Sequence, residues 1–390
     1  MPVEKAITSP PPPSSPTLPW RATSTVVMGM TAVISRAFLY GLNKTETIGL
    51  DRFLEILDAR KDVQNRERGL ITVSNHVSVV DDPLVWGVLP IRYALNPSNH
   101  RWSLGSYDIC FTNKILSKFF TLGQVLPTHR SQHSSFGGLF QPTITQSIRL
   151  LSSPPFPKTY SAVPSSRPST VSESTPLLAD DPFSSGSLTY STNGTDSFPA
   201  PSAYEANRHA WVHIFPEGRI HQHPKKSLRY FKWGISRLIL ESEPLPDIVP
   251  MFIDGNQDIM HESREFPRFL PRIGKNVRVA FGEKVDGEKV FGELRAKWKN
   301  LVQLQKEALI KKGALMDMEM GDLTEGLKHS KEAQALREEV TLRIRKEVLK
   351  VRASLGLPDE DPKQGLVETW IEEGPKRTGQ MDDGSFVGET

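Results

Sequence analysis

Twice in this chain a short apolar, β-branched run empties into a dense polar turn. The first run, Gly69-Leu-Ile-Thr-Val-Ser74, leads into Asn75-His76-Val-Ser-Val-Val-Asp81-Asp82-Pro83; the second, Ala210-Trp-Val-His-Ile-Phe215, leads into Pro216-Glu217-Gly218-Arg219. Apolar runs of that length bounded by turn residues read as buried strands. Asp82-Pro83 then suits a helix start, since Asp caps free N–H groups and Pro fits the first helical turn. Strands that alternate with helices build a helix-covered sheet, and such folds place their sites in the turns at strand ends. An α/β fold is therefore expected, with a mixed sheet flanked by helices.

Only part of the 390 residues fits that plan. A Pro-rich start (1–19), a Ser/Pro/Thr-rich stretch (152–207) and a polar end (354–390) lack hydrophobic periodicity. Read as a disordered start, a disordered insertion and a tail, they leave about 270 residues for one large core. The expected organisation is a membrane-associating helix at 20–45, a domain at 46–290 carrying the 152–207 insertion, and charged helices at 291–353. From Ser227, Leu228, Phe231, Ile235, Leu238 and Ile239 recur on one helical face, while Arg229, Lys232 and Arg237 take the others. That spacing predicts an amphipathic, basic helix capped by Ser227.

Val26 to Leu42 reads VVMGMTAVISRAFLYGL, apolar apart from a few hydroxyls and Arg36. It falls short of the roughly 20 residues that cross a bilayer. Trp20, Arg21, Tyr40 and Lys44 flank it with residue types that sit at a lipid–water boundary, which suits a helix dipping into a membrane. An ordinary buried helix fits the segment equally well. The first twenty residues read as carrying no cleavable targeting signal. With 48 Lys+Arg against 45 Asp+Glu, the net charge of +3 is too even to point to nucleic acid. A single cysteine, Cys110, excludes an internal disulfide framework and a Cys-rich metal site.

His76 and Asp81 lie five apart in a turn that can bring carboxylate to imidazole. A carboxylate on one ring nitrogen fixes the tautomer and leaves the other nitrogen free to take a proton from a hydroxyl. The same residues also suit a turn histidine beside a helix cap. His76, Asp81 and Asp82 could hold a divalent ion, but no further His/Glu pair stands at ligand spacing, and no metal is expected. In the second turn Arg219 can grip a phosphate and Glu217 can accept from a hydroxyl or orient backbone; a solvated turn would look alike.

Asn75-His76-x4-Asp81-x-Pro83 followed by Phe215-Pro-Glu-Gly-Arg219 resembles the glycerolipid acyltransferase superfamily. Val212-His-Ile-Phe-Pro-Glu-Gly218, Arg229-Tyr-Phe-Lys-Trp-Gly-Ile-Ser-Arg-Leu238, Phe119-Phe-x-Leu-Gly123 and Phe266-Pro-Arg-Phe269 narrow the resemblance to the tafazzins, mitochondrial phospholipid–lysophospholipid transacylases. The resemblance implies His76 as catalytic base with Asp81 as its partner. It assigns Arg130 and Arg219 to the substrate phosphate, Glu217 and Gly218 to the glycerol pocket, and Asn75 and Ser78 to the substrate as well. Gly123-Gln-Val-Leu-Pro-Thr-His-Arg130 departs from the superfamily's second motif by an extra residue and Pro127.

By the same resemblance the substrates are cardiolipin, monolysocardiolipin and phosphatidylcholine, with no cofactor and no CoA. The location is a peripheral or monotopic one on the outer and inner mitochondrial membranes, facing the intermembrane space. Homo-oligomers and complexes in those membranes stay open. Two rivals remain: an acyl-CoA-dependent lysophospholipid acyltransferase, and a non-catalytic protein that organises anionic lipid through its apolar and basic helices.

Overall fold

The computed structural model describes residues 18–153, 189–201, 204, 206–312, 320–368, 378–381 and 383–388. Helix α1 (Leu18–Leu42) leads into strand β1 (Lys44–Ile48) and helix α2 (Leu50–Ala59). Strand β2 (Leu70–Val73) precedes the short helices α3 (Asp81–Trp86) and α4 (Ile91–Ala94). Next come β3 (Arg101–Ser106), α5 (Tyr107–Cys110), α6 (Lys114–Leu122), β4 (Val125–Thr128) and α7 (Pro142–Leu151). The later strands are β5 (Thr189–Tyr190), β6 (Phe198–Pro199), β7 (Trp211–Ile214), β8 (Ile220–Gln222), β9 (Asp247–Asp254), β10 (Asn276–Phe281), β11 (Gly379–Gln380) and β12 (Phe386–Gly388).

Seven strands form the main sheet in the order β1-β10-β9-β2-β7-β3-β4. Every pair is parallel except β10 with β9, so the sheet is mixed. Strand β2 lies between β9 and β7, and all four of its residues are buried. Its alternation divides the core. Ile71 and Val73 join one apolar cluster, with α7, the Gly234–Glu241 helix and the Lys331–Ser354 helix. Leu70 joins the other, with α2, α3 and Leu39 of α1. A sheet buried on both faces is the parallel-sheet solution that the continuous apolar runs call for.

Helix α1 lies along the body rather than away from it. Ser24 Oγ donates to the Leu122 carbonyl at 2.6 Å, and a Cβ on Gly29 would come within 2.9 Å of Leu95. Arg36 Nη1 donates to the carbonyls of Gly87, Val88 and Leu89, so this arginine serves the protein body and not a lipid boundary. The opposite side of the helix carries Leu18, Val26, Met30, Val33 and Ile34 exposed. With 25 residues the helix is long and apolar enough to cross a membrane, longer than the 26–42 run suggested.

Three expectations need correction. The basic helix begins at Gly234, not at Ser227. Leu228 and Phe231 are buried from a non-helical segment, Arg229 is buried, and buried Arg237 pairs with Glu241 at 2.6 Å; these cations are internal and offer no lipid-facing stripe. Of the stretch 152–207, residues 154–188 lie outside the described residues, but 189–201 fold as the β5–β6 hairpin, with Tyr190, Phe198 and Ala200 in the core. The tail reading of 354–390 fails likewise: Glu360 pairs with Arg345 at 2.6 Å, and β12 adds antiparallel to β8. Long-range pairing holds these polar stretches, and no local periodicity announces it.

Candidate active site

Strand β2 carries the chain to Ser74, Asn75 and His76 at its carboxyl end, and β7 carries it to Phe215, Pro216 and Glu217 alongside. The two polar turns of the sequence are thus neighbours in space. The Asn75 side chain pairs with the main chain of β9, accepting from Ile253 N at 2.7 Å and donating to its carbonyl at 2.8 Å. That two-point bond fixes where the turn leaves the sheet.

His76 Nδ1 lies 2.9 Å from Asp81 Oδ2. The same oxygen accepts from the amides of Val77 and Ser78 at 2.6 and 2.8 Å, and Oδ1 accepts from Asn256 Nδ2 at 2.8 Å. Asp81 is fully buried and accepts on both oxygens, so its partner nitrogen on His76 is the one that carries hydrogen. Nε2 is left with its lone pair, and it makes no hydrogen bond among the described residues. The imidazole stacks on Phe215 at 4.4 Å, an aromatic contributed by the second turn. Asp82 is no cap: it pairs with Arg101 at 2.5 Å and accepts from Trp86 Nε1 at 3.1 Å.

Glu217 occupies the second turn in another way. Its Oε1 accepts from the His76 amide at 2.9 Å and its Oε2 from the Arg229 amide at 2.8 Å. Burial pushes its carboxyl up to about 8, against the pull of those two N–H donors. Gly218 has φ +62°, the left-handed region glycine favours, and a Cβ there would meet Lys232 Nζ at 2.7 Å. The motif's glycine therefore makes the turn and leaves room for a lysine.

Beside His76 opens a cavity of about 460 Å³, within the range of small-molecule sites. Leu104, Ile144, Ile214 and Phe231 contribute apolar lining, while Arg130 and Lys232 bring cations. Asp108 holds the Arg130 guanidinium through Nε at 3.1 Å, leaving Nη1 buried with no partner among the described residues. Lys232 is exposed at the cavity; desolvation by the atoms crowded around it, then Arg219, Arg229 and Arg130, lower its ammonium to about 8.

The structure brings His76, Arg130 and Gly218 to one cavity wall. Asn75, Ser78 and Glu217 lie outside its lining. Asn75 and Glu217 bond main-chain groups, and Ser78 Oγ is enclosed without a partner among the described residues. Arg219 is buried and bonded to Gln132; it lies close enough to Lys232 to lower its pKa but is not a lining residue. His221 and His223 fall on or beside β8, and burial lowers both. Sequence reading missed Lys232, taken for one face of a helix, along with Asn256 and Asp108. Asn256 had a signal, because it follows a strand end, as His76 and Glu217 do.

No family model matches the chain. Among curated proteins, Tafazzin of Saccharomyces cerevisiae is 36% identical over 364 residues, covering 90% of this chain and 83% of its own. Taffazin of Dictyostelium discoideum is 29% identical and covers 66% and 67%; N-acylphosphatidylethanolamine synthase of Arabidopsis thaliana is 27% identical and covers 67% and 70%. A histidine–aspartate turn and a Pro-Glu-Gly turn, joined at adjacent strand ends and accompanied by likeness along nearly the whole chain, place the protein: it belongs to the tafazzin family.

Proposed function

We propose that the chain is a CoA-independent phospholipid–lysophospholipid transacylase, with His76 as general base and Asp81 as the group that orients it. The observation that carries this reading is His76 Nε2, unencumbered at the wall of a cavity that offers both apolar surface and cations. An acyl ester needs a base for the attacking hydroxyl, room for a chain and a hold on the phosphate, and the cavity supplies these three.

His76 Nε2 takes the proton of a lysophospholipid hydroxyl, and the resulting alkoxide attacks the ester carbonyl of a donor phospholipid. The tetrahedral intermediate collapses with cleavage of the donor's own C–O bond, and the departing alkoxide takes the proton from His76. One ester replaces another, so the exchange needs no energy source. Arg130 and Lys232 hold the phosphodiester, a role in which Lys232 joins Arg130 from beyond the expected set. The amides of His76, Val77 and Ser78 already serve Glu217 and Asp81, so the oxyanion must find its donors elsewhere in the cavity.

The family membership supports cardiolipin, monolysocardiolipin and phosphatidylcholine as the lipids exchanged and the mitochondrial membranes, on their intermembrane-space side, as the location. Contact of α1 with the body at Ser24, Gly29, Arg36 and Leu39, together with its exposed apolar side, supports a monotopic attachment with the helix in the plane of the interface.

The test mixes purified chain with vesicles of acyl-labelled phosphatidylcholine and unlabelled monolysocardiolipin, without CoA. Label on cardiolipin with wild type and none with His76→Ala is the expected result. Transfer that begins only when acyl-CoA is added would make the chain a CoA-dependent acyltransferase. A folded chain that transfers under neither condition would be a lipid-organising protein. Protease protection in intact mitochondria and mitoplasts tests the location.

A further inference from the structure

We propose that the segment Arg264–Lys275 is a second membrane-docking element, which inserts Phe266, Phe269, Leu270 and Ile273 into the boundary of an anionic bilayer beside α1. The proposal rests on the interfacial reading of α1 given above. Four large apolar side chains within eight residues stand in solvent: Phe266 is 88% exposed, Phe269 78%, Ile273 60% and Leu270 50%. Single exposed apolar residues are ordinary, whereas a cluster of this kind marks an interaction surface.

The segment is held in shape by its own arginines. Arg268 Nη2 donates to the Glu262 carbonyl and Arg272 Nη2 to the Glu265 carbonyl, both at 2.8 Å, and Arg264 Nε meets the Arg268 carbonyl. The Arg272 amide donates to the Ile259 carbonyl at 3.0 Å. The aromatic side chains are therefore presented on a built loop.

Its position and charge name the occupant. The Gly274 amide donates to the Leu42 carbonyl at 2.8 Å and the Lys275 amide to Asn43 Oδ1 at 2.9 Å, which seats the loop at the carboxyl end of α1. Tyr40 and Leu42 are exposed there, so the apolar side of α1 continues into the loop. Arg264, Arg268, Arg272 and Lys275 against Glu265 give the segment +3. Arg264 has a carboxylate, Glu262, at 4.0 Å, while Arg268 and Arg272 meet only carbonyls among the described residues. Aromatic side chains flanked by uncompensated guanidinium groups suit the boundary of a bilayer whose headgroups are negative.

The test places one environment-sensitive fluorophore on the full chain, at Phe269→Cys or, as control, at Ile34→Cys on the exposed side of α1. Both variants carry Cys110→Ser, so the introduced cysteine is the one thiol that takes the label. Vesicles of phosphatidylcholine with and without phosphatidylglycerol are then added. The expected result is a rise in emission at both positions, stronger with phosphatidylglycerol, together with binding about tenfold weaker for Phe266→Ser/Phe269→Ser. Arg268→Gln should lose about fivefold on the anionic vesicles and nothing on the neutral ones. Emission that rises at position 34 alone overturns the loop proposal and leaves the reading of α1 standing. Emission that rises at neither position removes both.

Discussion

The two polar turns look alike in sequence, each a strand running into charged residues, yet they do different work. In the first, a buried carboxylate serves an imidazole as well as backbone: Asp81 accepts from the amides of Val77 and Ser78 and holds Nδ1 of His76, leaving Nε2 at a cavity wall. In the second, a buried carboxylate serves the backbone: Glu217 ties the amide of His76 to that of Arg229, and its own turn contributes Phe215 as the surface on which the imidazole lies. On the proposed mechanism, one turn carries the chemistry and the other holds it in place. The comparison teaches that a charged motif residue declares its role only through what its oxygens touch.

The sharpest way to break this division is at the first turn. His76→Ala should lower transacylation by about 10²- to 10⁴-fold, the span a general base supplies, without loss of the fold. Asp81→Asn should fall by a similar factor, because an amide can orient the wrong tautomer; initial rates on vesicles of matched composition check both. At the second turn, Glu217→Ala strands two buried amides and should cost about 1–3 kcal/mol for each, read in urea melts.

Titration separates the turns further. Glu217 has its folded pKa raised from 4.5 to about 8, so folding retains a proton there and stability falls as pH climbs through that window. The stability difference between wild type and Glu217→Gln should therefore slope between those values and flatten above them. Lys232 works in the other compartment of the site: as pH rises past about 8 it loses its charge, so KM for a phosphate-bearing substrate should rise, and Lys232→Gln should flatten that dependence. Smallest of all, Ser78→Ala should change stability by no more than about 0.5 kcal/mol and leave turnover intact, since the hydroxyl is buried without a partner among the described residues.

The sheet was legible because β2 and β7 are buried on both faces and therefore read as unbroken apolar runs. His76 and Asp81 were legible because their partnership is local, five residues within one turn. Glu217 was legible as a motif residue that could accept from a hydroxyl or orient backbone, but the two amides it holds were not, since they stand 141 and 12 residues away on backbone that no side-chain pattern reveals. Leu228 and Phe231 mimicked helical spacing from a segment pinned instead by Arg345, whose Nη2 meets the Leu228 carbonyl at 2.8 Å. Lys232 was hidden by the same error. Strand β12 had no sequence signal at all, because a three-residue strand becomes one only when β8 offers it an edge.

The most direct test measures melting temperature and transfer rate side by side for His76→Ala and Glu217→Gln. His76→Ala should melt with wild type and transfer label at least about a hundredfold more slowly, whereas Glu217→Gln should melt lower yet keep most of its turnover per folded molecule. A His76→Ala chain that exchanged esters at a near wild-type rate, or a stable Glu217→Gln chain that did not exchange them, would contradict the division between the two turns.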